Sequence, residues 1–534
     1  MMMRAARRTG AVGVVTACLV AYSFVAAPIP ALNEPHYLGK ARHYWQPEWC
    51  AGDFFLESAD AHTVFFATVG WLTTVCSLPM TAVVGRLLAL TTLAWGWTAL
   101  AAALHAEPAG TALPTTPDRP SRLWSVLWSV WLFLAVATVG NWSGEWLVGG
   151  VESKVFAYGG LFWAWSQLPI RRWQVVLPAL GAAVAFHPVV GLWGCLATLG
   201  AWLLGVCIPQ LVAAPSDPGN DGGAWQSSLA FVGGSVAAVL LALPGLMPVL
   251  KIVLEPVDAA TRYAGTYIQV YYRLGHHLDP MLFPGRAYLG YAVLAGLWLA
   301  GWRFGPRGPL WSWLHRVTAV ALVCALAGLA VGWGPRPPQR MPGFEWRMHL
   351  LKFYPFRLAD ALLPLMCAQQ AARLVTEWLG DAKRNAAGLL LVAAGTLFAA
   401  HLSTRDQRYT RAQHPDWQEA CRWIKTQAPP DAKVIPPHGQ WTFKWYGERA
   451  EFVNFKDCPQ DVRGIVEWNR RQLLLTRWYQ QNYADGRYSK EELRALRRQT
   501  GADFLIADEA GPFDLPPVYQ NPTHRVYDLR MAEE

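Results

Sequence analysis

One set of residues that could do chemistry lies at Asn33-Glu34-Pro35-His36-Tyr37, shortly after the first long apolar stretch of the chain. A carboxylate at the mouth of a membrane cavity could accept the proton of an attacking hydroxyl or hold a divalent metal. We therefore take Glu34 as a candidate general base, with Asn33 and His36 as candidate substrate contacts. The alternative interpretation is an ordinary glutamate in a solvated loop.

A second set contains Glu152 and Lys154, at the start of another apolar stretch, with Glu145 shortly before them. Ionisable groups near bilayer depth are costly, so they need a partner or a function. Glu152 and Lys154 could pair with each other, could position a substrate, or could serve only as interface anchors. His187 precedes a proline nearby, and we expect it to form a hydrogen bond at a helix end.

A third set contains Arg273 followed by His276 and His277. An arginine together with one histidine suits a phosphate, because the guanidinium fork matches the phosphate oxygens. Two adjacent histidines point in different directions on a regular backbone, so they could share a metal only on an irregular loop.

A fourth set, Lys352 and Arg357, leads into a later apolar stretch. These two cations could clamp a diphosphate at the membrane surface. Arg357 and Asp360 also have the i,i+3 spacing of an ion pair on a helix surface, which is the structural alternative.

The elements that must position these residues are membrane helices. The chain is 53% hydrophobic, and several windows of low charge reach the roughly 17–25 residues that cross a bilayer. Many of the 29 tryptophans flank such windows, as is typical of the membrane interface. We predict a polytopic helical bundle over residues 1–402, with about eleven transmembrane helices. External loops are expected near 28–62, 249–285 and 334–356.

Charge distribution predicts the orientation. Arginines at 4, 7 and 8 precede the apolar stretch Gly10–Ala27, which is a first span with a cytoplasmic N-terminus or a signal peptide cut near Ala26. We favour the uncleaved span, because the bundle needs a first anchor. The protein is therefore expected in a bacterial inner membrane, with the C-terminal region extracytoplasmic.

One apolar stretch, Leu123–Val139, creates a conflict of parity. Thr63–Val84 and Leu87–Leu104 are predicted as two spans joined by a cytoplasmic loop at Arg86. With that count, a full crossing by Leu123–Val139 would place the arginines at 171 and 172 outside, against the positive-inside rule. A half-crossing or re-entrant segment is therefore predicted there.

The segment 403–534 has a different composition, charged and aromatic, and predicts a small extracytoplasmic α/β domain. Expected helices cover Asp416–Thr426, Asp461–Tyr479 and Lys490–Gln499. Expected strands cover Lys433–Pro436, Phe443–Val453, Ala502–Ala507 and Arg525–Leu529. In an oxidising compartment Cys421 and Cys458 could form a disulfide, leaving Cys50 unpaired.

Several classes of function are excluded or disfavoured. The net charge of +9 comes from basic residues in short loops between apolar windows, without a basic stripe, so nucleic acid is not an expected partner. The sequence has no GxGxxG, HExxH, GxSxG or Walker motif, and no zinc-ligand spacing. The lack of a Walker motif argues against an ATP-driven pump.

The order of these features resembles the GT-C superfamily of polytopic glycosyltransferases: a first span, an acidic motif at Asn33-Glu34 in the first external loop, about eleven crossings and an external α/β tail. The tail, including Phe443-Lys444-Trp445-Tyr446 and Lys456-Asp457, looks like an uncharacterised C-terminal domain of bacterial membrane proteins.

The resemblance implies a sugar donor carried on polyprenyl phosphate, a membrane lipid. It implies that Glu34 acts as base or metal ligand and that Arg273, His276, Lys352 or Arg357 binds the lipid phosphate. Such enzymes usually carry a pair of acidic residues. Here Asn33 stands beside Glu34, which predicts that a lone carboxylate acts and leaves a divalent metal without its usual second ligand.

Two other classes stay open. A transporter or lipid-handling protein would use Glu152, Lys154 and His187 as a polar path through the bundle, and inverted repeats would favour it, although no convincing repeat is visible. A non-catalytic scaffold would use the tail to bind a partner in the cell envelope. The sugar, the acceptor and the oligomeric state do not follow from the sequence.

Overall fold

The computed structural model describes residues 2–106, 119–170, 172–208, 224–405, 407–508 and 510–533. Most of these residues are helical, because an apolar segment in a bilayer must satisfy its backbone polar groups internally. The first nine helices are α1 (Met2–Ala26), α2 (Glu34–Trp45), α3 (Thr63–Ala67), α4 (Leu78–Leu104), α5 (Arg119–Val136), α6 (Ser153–Ser166), α7 (Trp173–Phe186), α8 (Pro188–Cys207) and α9 (Ala224–Val253). The others are α10 (Ala259–Tyr267), α11 (Gly275–Leu278), α12 (Gly285–Phe304), α13 (Pro309–Gly332), α14 (Phe344–Leu351), α15 (Arg357–Leu379), α16 (Ala382–Ser403), α17 (Gln407–Ala412), α18 (Pro415–Gln427), α19 (Phe443–Gly447), α20 (Val462–Asp485) and α21 (Lys490–Thr500).

Six of the described helices are long and apolar enough to cross a membrane, namely α1 over Thr9–Ala26, α4, α8, α9 over Ser228–Val253, α13 and α16. The helices α5 and α7 are apolar but shorter. At about 1.5 Å per residue, a helix of about 20 residues matches the hydrocarbon core. The predicted polytopic helical bundle is confirmed, whereas the number of crossings stays a prediction.

The prediction of two spans on either side of Arg86 is wrong. A short helix α3 and a 3-10 helix (Val69–Thr74) precede α4, which runs without interruption from Leu78 to Leu104. Arg86 lies inside this helix, fully buried, with its guanidinium 5.1 Å from the ring centroid of Phe24. An arginine packed on an aromatic ring can stay inside a helix, so a single charge does not mark a loop.

This correction removes the reason for a re-entrant segment at Leu123–Val139. With one crossing fewer before it, a full crossing by α5 leaves Glu145 outside and Arg172 inside, as the positive-inside rule requires. Its neighbour Arg171 lies outside the described residues. In the structure α5 is one continuous helix through Val136.

The chain forms two compact units. The first unit comprises Met1–Ala26, Arg86–Met247 and Gln269–His401. In it α15 packs on α5, α12 and α13, and α6 packs on α7. A Cβ added at Gly96 would lie 2.1 Å from the carbonyl oxygen of Gly159, so glycine is required where α4 approaches α6.

The second unit comprises Ala27–Gly85, Pro248–Ile268 and Leu402–Glu534. Its sheet contains β1 (Lys433–Ile435), β2 (Ala450–Glu451), β3 (Phe504–Ala507), β4 (Tyr519–Gln520) and β5 (Arg525–Asp528). The strand order is β2-β1-β3-β5-β4; the first three strands are parallel, and β5 runs antiparallel to both β3 and β4. The boundary predicted at 402/403 and the placement of this region outside the membrane stay predictions.

Most elements of the tail were predicted from the sequence; α17 and β4 were not predicted, and one segment was predicted wrongly. The helices α18, α20 and α21 and the strands β1, β3 and β5 lie where they were expected. The segment Phe443–Val453 was predicted as a strand, but it forms the helix α19 followed by the short strand β2. Aromatic residues at Phe443 and Trp445 suit a strand or a buried helical turn equally well, and here packing decided for the helix.

The predicted Cys421–Cys458 disulfide is absent, since both thiols are free. Cys421 is fully buried on one face of the sheet, in a cluster with Val434 and Phe504. Cys458 packs against a different cluster, which contains Ile435 and Leu505 from the opposite face. Because successive strand residues point to opposite faces, the two thiols lie on opposite sides of the sheet.

Candidate functional site

A cluster of charged side chains, three of them buried and Arg357 partly buried, lies in the first unit, where the segment before α6 meets the start of α15. It consists of Glu145, Glu152, Lys154 and Arg357, and we call it the Glu145 cluster. The Lys154 ammonium lies 3.7 Å from Oε2 of Glu145 and 3.4 Å from Oε2 of Glu152. The Nε of Arg357 lies 3.0 Å from the same Oε2 of Glu145.

Helix ends place these groups. Glu152 occupies the N-cap position of α6, Lys154 lies in the first turn of that helix, and Arg357 is the first residue of α15. Both cations also contact aromatic rings: Lys154 lies 4.0 Å from the ring centroid of Trp146 and Arg357 4.2 Å from that of Tyr354. Such contacts stabilise desolvated cations without neutralising them.

The segment that carries Glu145 is held by Asp360 of α15. Its carboxylate accepts hydrogen bonds from the backbone N–H groups of Trp142 and Ser143, at 3.1 and 2.7 Å, and from the Ser143 hydroxyl at 2.7 Å. Three donors on one buried carboxylate fix the backbone before Glu145. Asp360 therefore positions the cluster from the first turn of α15, the same turn that begins with Arg357.

One atom of the cluster lacks a partner within the described part of the chain. Oε1 of Glu145 is buried and accepts no hydrogen bond of ordinary length there, while Oε2 faces both cations. The buried Tyr158 hydroxyl, which has no other partner among the described residues, interacts with this carboxylate. A buried acceptor without a donor costs free energy, about 1–3 kcal/mol for a neutral group and more for a charged one. A ligand hydroxyl or a water molecule would satisfy this oxygen, so the carboxylate has capacity to accept a proton or a hydrogen bond.

His277 extends the network. Its Nδ1 contacts the carbonyl oxygen of Ser143 in a short hydrogen bond, and since a carbonyl only accepts, Nδ1 carries the proton. Burial and the neighbouring His276 lower the pKa of His277 well below its ordinary value, so the ring is neutral at pH 7. The rings of His276 and His277 lie 3.9 Å apart. Gly144, with φ of +72°, leaves room for the His277 ring, which a Cβ would approach to 3.0 Å.

The predicted site residues of the first unit are thus brought together in part. Glu152, Lys154 and Arg357 share one cluster. Of the alternatives given for Glu152 and Lys154, the ion pair is present, at 3.4 Å. Arg273 ends a π-helical turn (Ile268–Arg273), and Lys352 follows α14, with its ammonium 5.4 Å from the ring centroid of Phe353. Their substrate-binding roles stay predictions.

His187 has the structural role that was expected of it. It lies between α7 and α8, and its Nδ1 accepts a hydrogen bond from the backbone N–H of Val190 at 3.2 Å. It therefore caps the N-terminus of α8.

The predicted residues of the first external loop belong to the second unit. Glu34, the first residue of α2, is fully buried, and its Oε2 accepts the backbone N–H of Ala31 at 2.7 Å. Asn33 occupies the N-cap position of α2. His36 faces Asp457, with 2.9 Å between Nδ1 and Oδ1. The catalytic role of Glu34 stays a prediction.

The second unit has a buried ionic cluster of its own, consisting of Lys444, Asp53, Glu451 and Asp457, which we call the Lys444 cluster. The Lys444 ammonium lies 2.7 Å from Oδ2 of Asp457 and 3.4 Å from Oδ2 of Asp53, and it also contacts Glu451 directly. All four side chains are at most 3% exposed. Sequence reasoning did not assign this cluster.

Three carboxylates around one lysine cannot all be charged without cost. Burial, together with Asp457 and Asp53, raises the pKa of Glu451 to about 8, against the opposing effect of Lys444. Burial also acts to raise the pKa of Asp457, but Lys444 and the His36 hydrogen bond hold it below its ordinary value. The cluster therefore keeps a proton on Glu451 near neutral pH.

Two members of the first-unit network were visible in the sequence but not assigned. Glu145 and Asp360 are carboxylates beside apolar stretches, and this position was the feature of the sequence that could have identified them. Neither spacing nor residue type could show that Asp360 binds residues 142–143, more than 200 positions away.

Within the described residues, no group of three or more His, Cys, Asp or Glu side chains could hold a metal ion.

Comparisons with known proteins were made for the whole chain. Residues 415–475 match the family described as Domain of unknown function (DUF6798). No curated protein sequence matches the chain. Among solved structures, it is similar to ArnT from Cupriavidus metallidurans bound to undecaprenyl phosphate, with 12% identity, a TM-score of 0.42 and coverage of 99% of this chain and 98% of that one. Values this low assign no activity or ligand. The match at 415–475 agrees with the predicted uncharacterised C-terminal domain.

Proposed function

We propose that the chain is a membrane glycosyltransferase of GT-C type, which transfers a sugar from a polyprenyl-phosphate donor to an extracytoplasmic acceptor. The Glu145 cluster carries the proposal. Two cations, Lys154 and Arg357, lie at the ends of α6 and α15, where the charged head of a lipid would meet protein. Arginine and lysine are the side chains that bind phosphate in proteins.

In the proposed reaction the acceptor hydroxyl attacks the anomeric carbon of the donor sugar. The bond from that carbon to the phosphate oxygen breaks, and the lipid phosphate leaves with the electron pair. A carboxylate takes the hydroxyl proton, a contribution of about 10²–10⁴ in rate. Lys154 and Arg357 stabilise the charge that develops on the phosphate. Glu34 is the base that the GT-C resemblance implies, and Glu145, with its unpartnered Oε1, is a second candidate.

The proposed topology places this chemistry outside the cytoplasm. If the eleven apolar or mixed helices all cross, the N-terminus is cytoplasmic and the C-terminus external, with Arg172, Arg303 and Arg384 inside, as the positive-inside rule requires. These helices are α1, α4, α5, α6, α7, α8, α9, α12, α13, α15 and α16. On the same count, the loops 28–62 and 249–268 fall on the side of the C-terminal region, with which they form one compact unit.

A transporter or lipid-handling protein without catalytic activity is the second candidate, and two observations favour it. Glu34 is fully buried and bound to the backbone of Ala31. Both cations of the Glu145 cluster already face carboxylates, so a phosphate would have to displace a partner.

The test uses the full-length protein in nanodiscs with a mixed pool of polyprenyl-phosphate sugars, and it measures release of free lipid phosphate. Glu34→Gln and Arg357→Gln are each expected to lower the rate about 100-fold. Arg384→Gln, at a side chain that is 73% exposed, is the matched control and should retain the wild-type rate.

The outcomes separate the two candidates. Unchanged release in Glu34→Gln, with a large loss in Glu145→Gln, would move the base to Glu145. No release across a broad donor panel, together with solute flux in proteoliposomes, would support transport instead.

A further inference from the structure

The second unit has a cavity of about 400 Å³ that the proposed reaction does not use. Three segments form its wall: Pro436–Gly439 after β1, Val453–Phe455 after β2, and one face of α20 from Gln472 to Gln480. The volume lies within the range of about 300–1,000 Å³ that is typical of small-molecule sites. Much of the wall belongs to the segment that matches DUF6798.

The position of the cavity follows from the topology of the sheet. The strands β1 and β2 are parallel, so their carboxyl ends lie at the same edge, and both wall loops begin there. From β1 the chain goes to β2 on one side and returns through α20 and α21 to β3 on the other. Open α/β sheets bind their ligands outside the carboxyl ends of the strands, where the strand order reverses.

The lining has a definite chemistry. No Asp, Glu, Lys or Arg is among the described residues that line the cavity. The wall combines amide, hydroxyl and imidazole groups with the rings of Phe455 and Tyr479 and with two prolines. A charged headgroup or a free phosphate would find no counter-ion there. A neutral ligand with many hydroxyls could form hydrogen bonds to the polar side chains of the wall. Its apolar ring face could pack on the aromatic rings and the prolines.

One lining side chain lacks a partner. Gln472 is 6% exposed, and its side-chain amide makes no hydrogen bond to the described residues. The amide atoms are not sealed off inside the protein, so they are open to water or to a ligand in the cavity. It offers a donor and an acceptor at once, as a pair of sugar hydroxyls requires.

Hydrogen bonds join the two loops that form the wall of the cavity. The side-chain amide of Asn454 donates to the carbonyl of Gln440 at 2.6 Å and accepts from the backbone N–H of Lys456 at 2.7 Å, which ties the two wall loops together. Gly439, with φ of +85°, forms the turn after β1 in a conformation that favours glycine. Both features hold the wall loops in the conformation that forms the cavity.

From the position, the neutral lining and the unpartnered Gln472 amide, we propose that this cavity binds a small neutral saccharide. The proposal does not rest on glycosyl transfer, because it concerns binding alone. It gives the domain of unknown function a carbohydrate-binding role.

The test measures binding of glucose, N-acetylglucosamine and maltose to the full-length protein in nanodiscs by saturation-transfer difference NMR. Glucose 1-phosphate and trialanine serve as an anionic and a peptide probe. The wild type is expected to bind at least one neutral sugar and to bind the two other probes more weakly. Gln472→Leu should weaken sugar binding about fivefold or more.

Gln481→Leu makes the same substitution on the same helix outside the cavity, and it should bind as the wild type does. Thr476→Val, at an exposed position of the wall, removes a hydroxyl without touching the core and should also weaken binding. Three results would overturn the proposal: no binding of any neutral sugar at millimolar concentration, tighter binding of trialanine or glucose 1-phosphate, or wild-type binding in both Gln472→Leu and Thr476→Val.

Discussion

The two buried ionic clusters of the protein balance their charges differently. In the Glu145 cluster two cations, Lys154 and Arg357, face two carboxylates. In the Lys444 cluster one lysine faces three carboxylates. Each cluster contains a carboxylate oxygen without a partner in the described chain, on Glu145 and on Glu451.

The difference shows which open oxygen is available to a ligand. Glu451 has a raised pKa, so its open oxygen can carry the proton that the excess of carboxylates demands. The Glu145 cluster has as many cations as carboxylates, and the one further carboxylate beside it, Asp360, accepts three hydrogen bonds of its own. The open oxygen of Glu145 needs a neutral donor, either the nearby Tyr158 hydroxyl or a ligand. We therefore expect the Lys444 cluster to have a structural role, whereas the Glu145 cluster is the candidate binding site.

The largest effect is expected for Lys444→Met, which leaves three buried carboxylates without their cation. We expect a loss of about 3–5 kcal/mol in the free energy of opening of the second unit, measured by hydrogen exchange on the full-length protein. The control is Lys425→Met, because Lys425 is 46% exposed in its pair with Glu448 and should cost less than about 1 kcal/mol. Equal losses in the two variants would contradict a stabilising role for the cluster.

The second test is the pH dependence of the same opening. The pKa of Glu451 is raised by burial from 4.5 to about 8, so the folded unit binds more protons than the unfolded chain between those pH values. The stability of the unit should therefore fall as pH rises from about 5 to 8, by up to about 1.4 kcal/mol per pH unit. Below about pH 4 the depressed pKa of Asp457 acts in the opposite direction, and stability is lost on acidification. Glu451→Gln should flatten the fall between pH 5 and 8; an unchanged slope in that variant would assign it to another group.

A smaller effect is expected when the support of the Glu145 cluster is weakened. Asp360→Asn replaces one acceptor oxygen by a donor that faces the N–H groups of Trp142 and Ser143, at a cost of about 1–3 kcal/mol. Amide exchange at residues 141–146 should accelerate. Glu377→Gln on the same helix, at a side chain that is 61% exposed, is the control and should leave this exchange unaltered.

The smallest effect is expected at Gly144. In Gly144→Ala the new side chain would have to adopt a φ of +72°, and its Cβ would lie 3.0 Å from Cε1 of His277. The substitution should cost about 1–2 kcal/mol for the backbone conformation and should displace the His277 ring. The NMR signal of that imidazole reports the displacement. Gly395→Ala, in a helix with nothing within 4 Å of the added Cβ, should be neutral or slightly stabilising; the same result at Gly144 would exclude a role for its conformation.

The apolar windows predicted most helices of the bundle, but they placed a loop at Arg86, which lies inside the single helix α4. A run of apolar residues needs internal hydrogen bonds whatever its neighbours are, so its helical state is a local property. Whether Arg86 interrupts a helix or lies inside it depends on the ring of Phe24 that packs against it, which is a tertiary contact. The crossing count up to α5 depended on that single residue.

The class of the protein and most elements of the C-terminal region could be predicted from the sequence, because hydrophobic periodicity, capping residues and short-range spacing act locally. The same spacing allowed a Glu152–Lys154 pair without selecting it. Which distant carboxylate each cation meets depends on the tertiary structure. Glu145 and Arg357 are more than 200 residues apart, as are Asp360 and Ser143, and Lys444 meets Asp53 across nearly 400 residues. Pairings of this kind depend on the packing of whole helices, and a residue's own neighbours in the chain do not encode them.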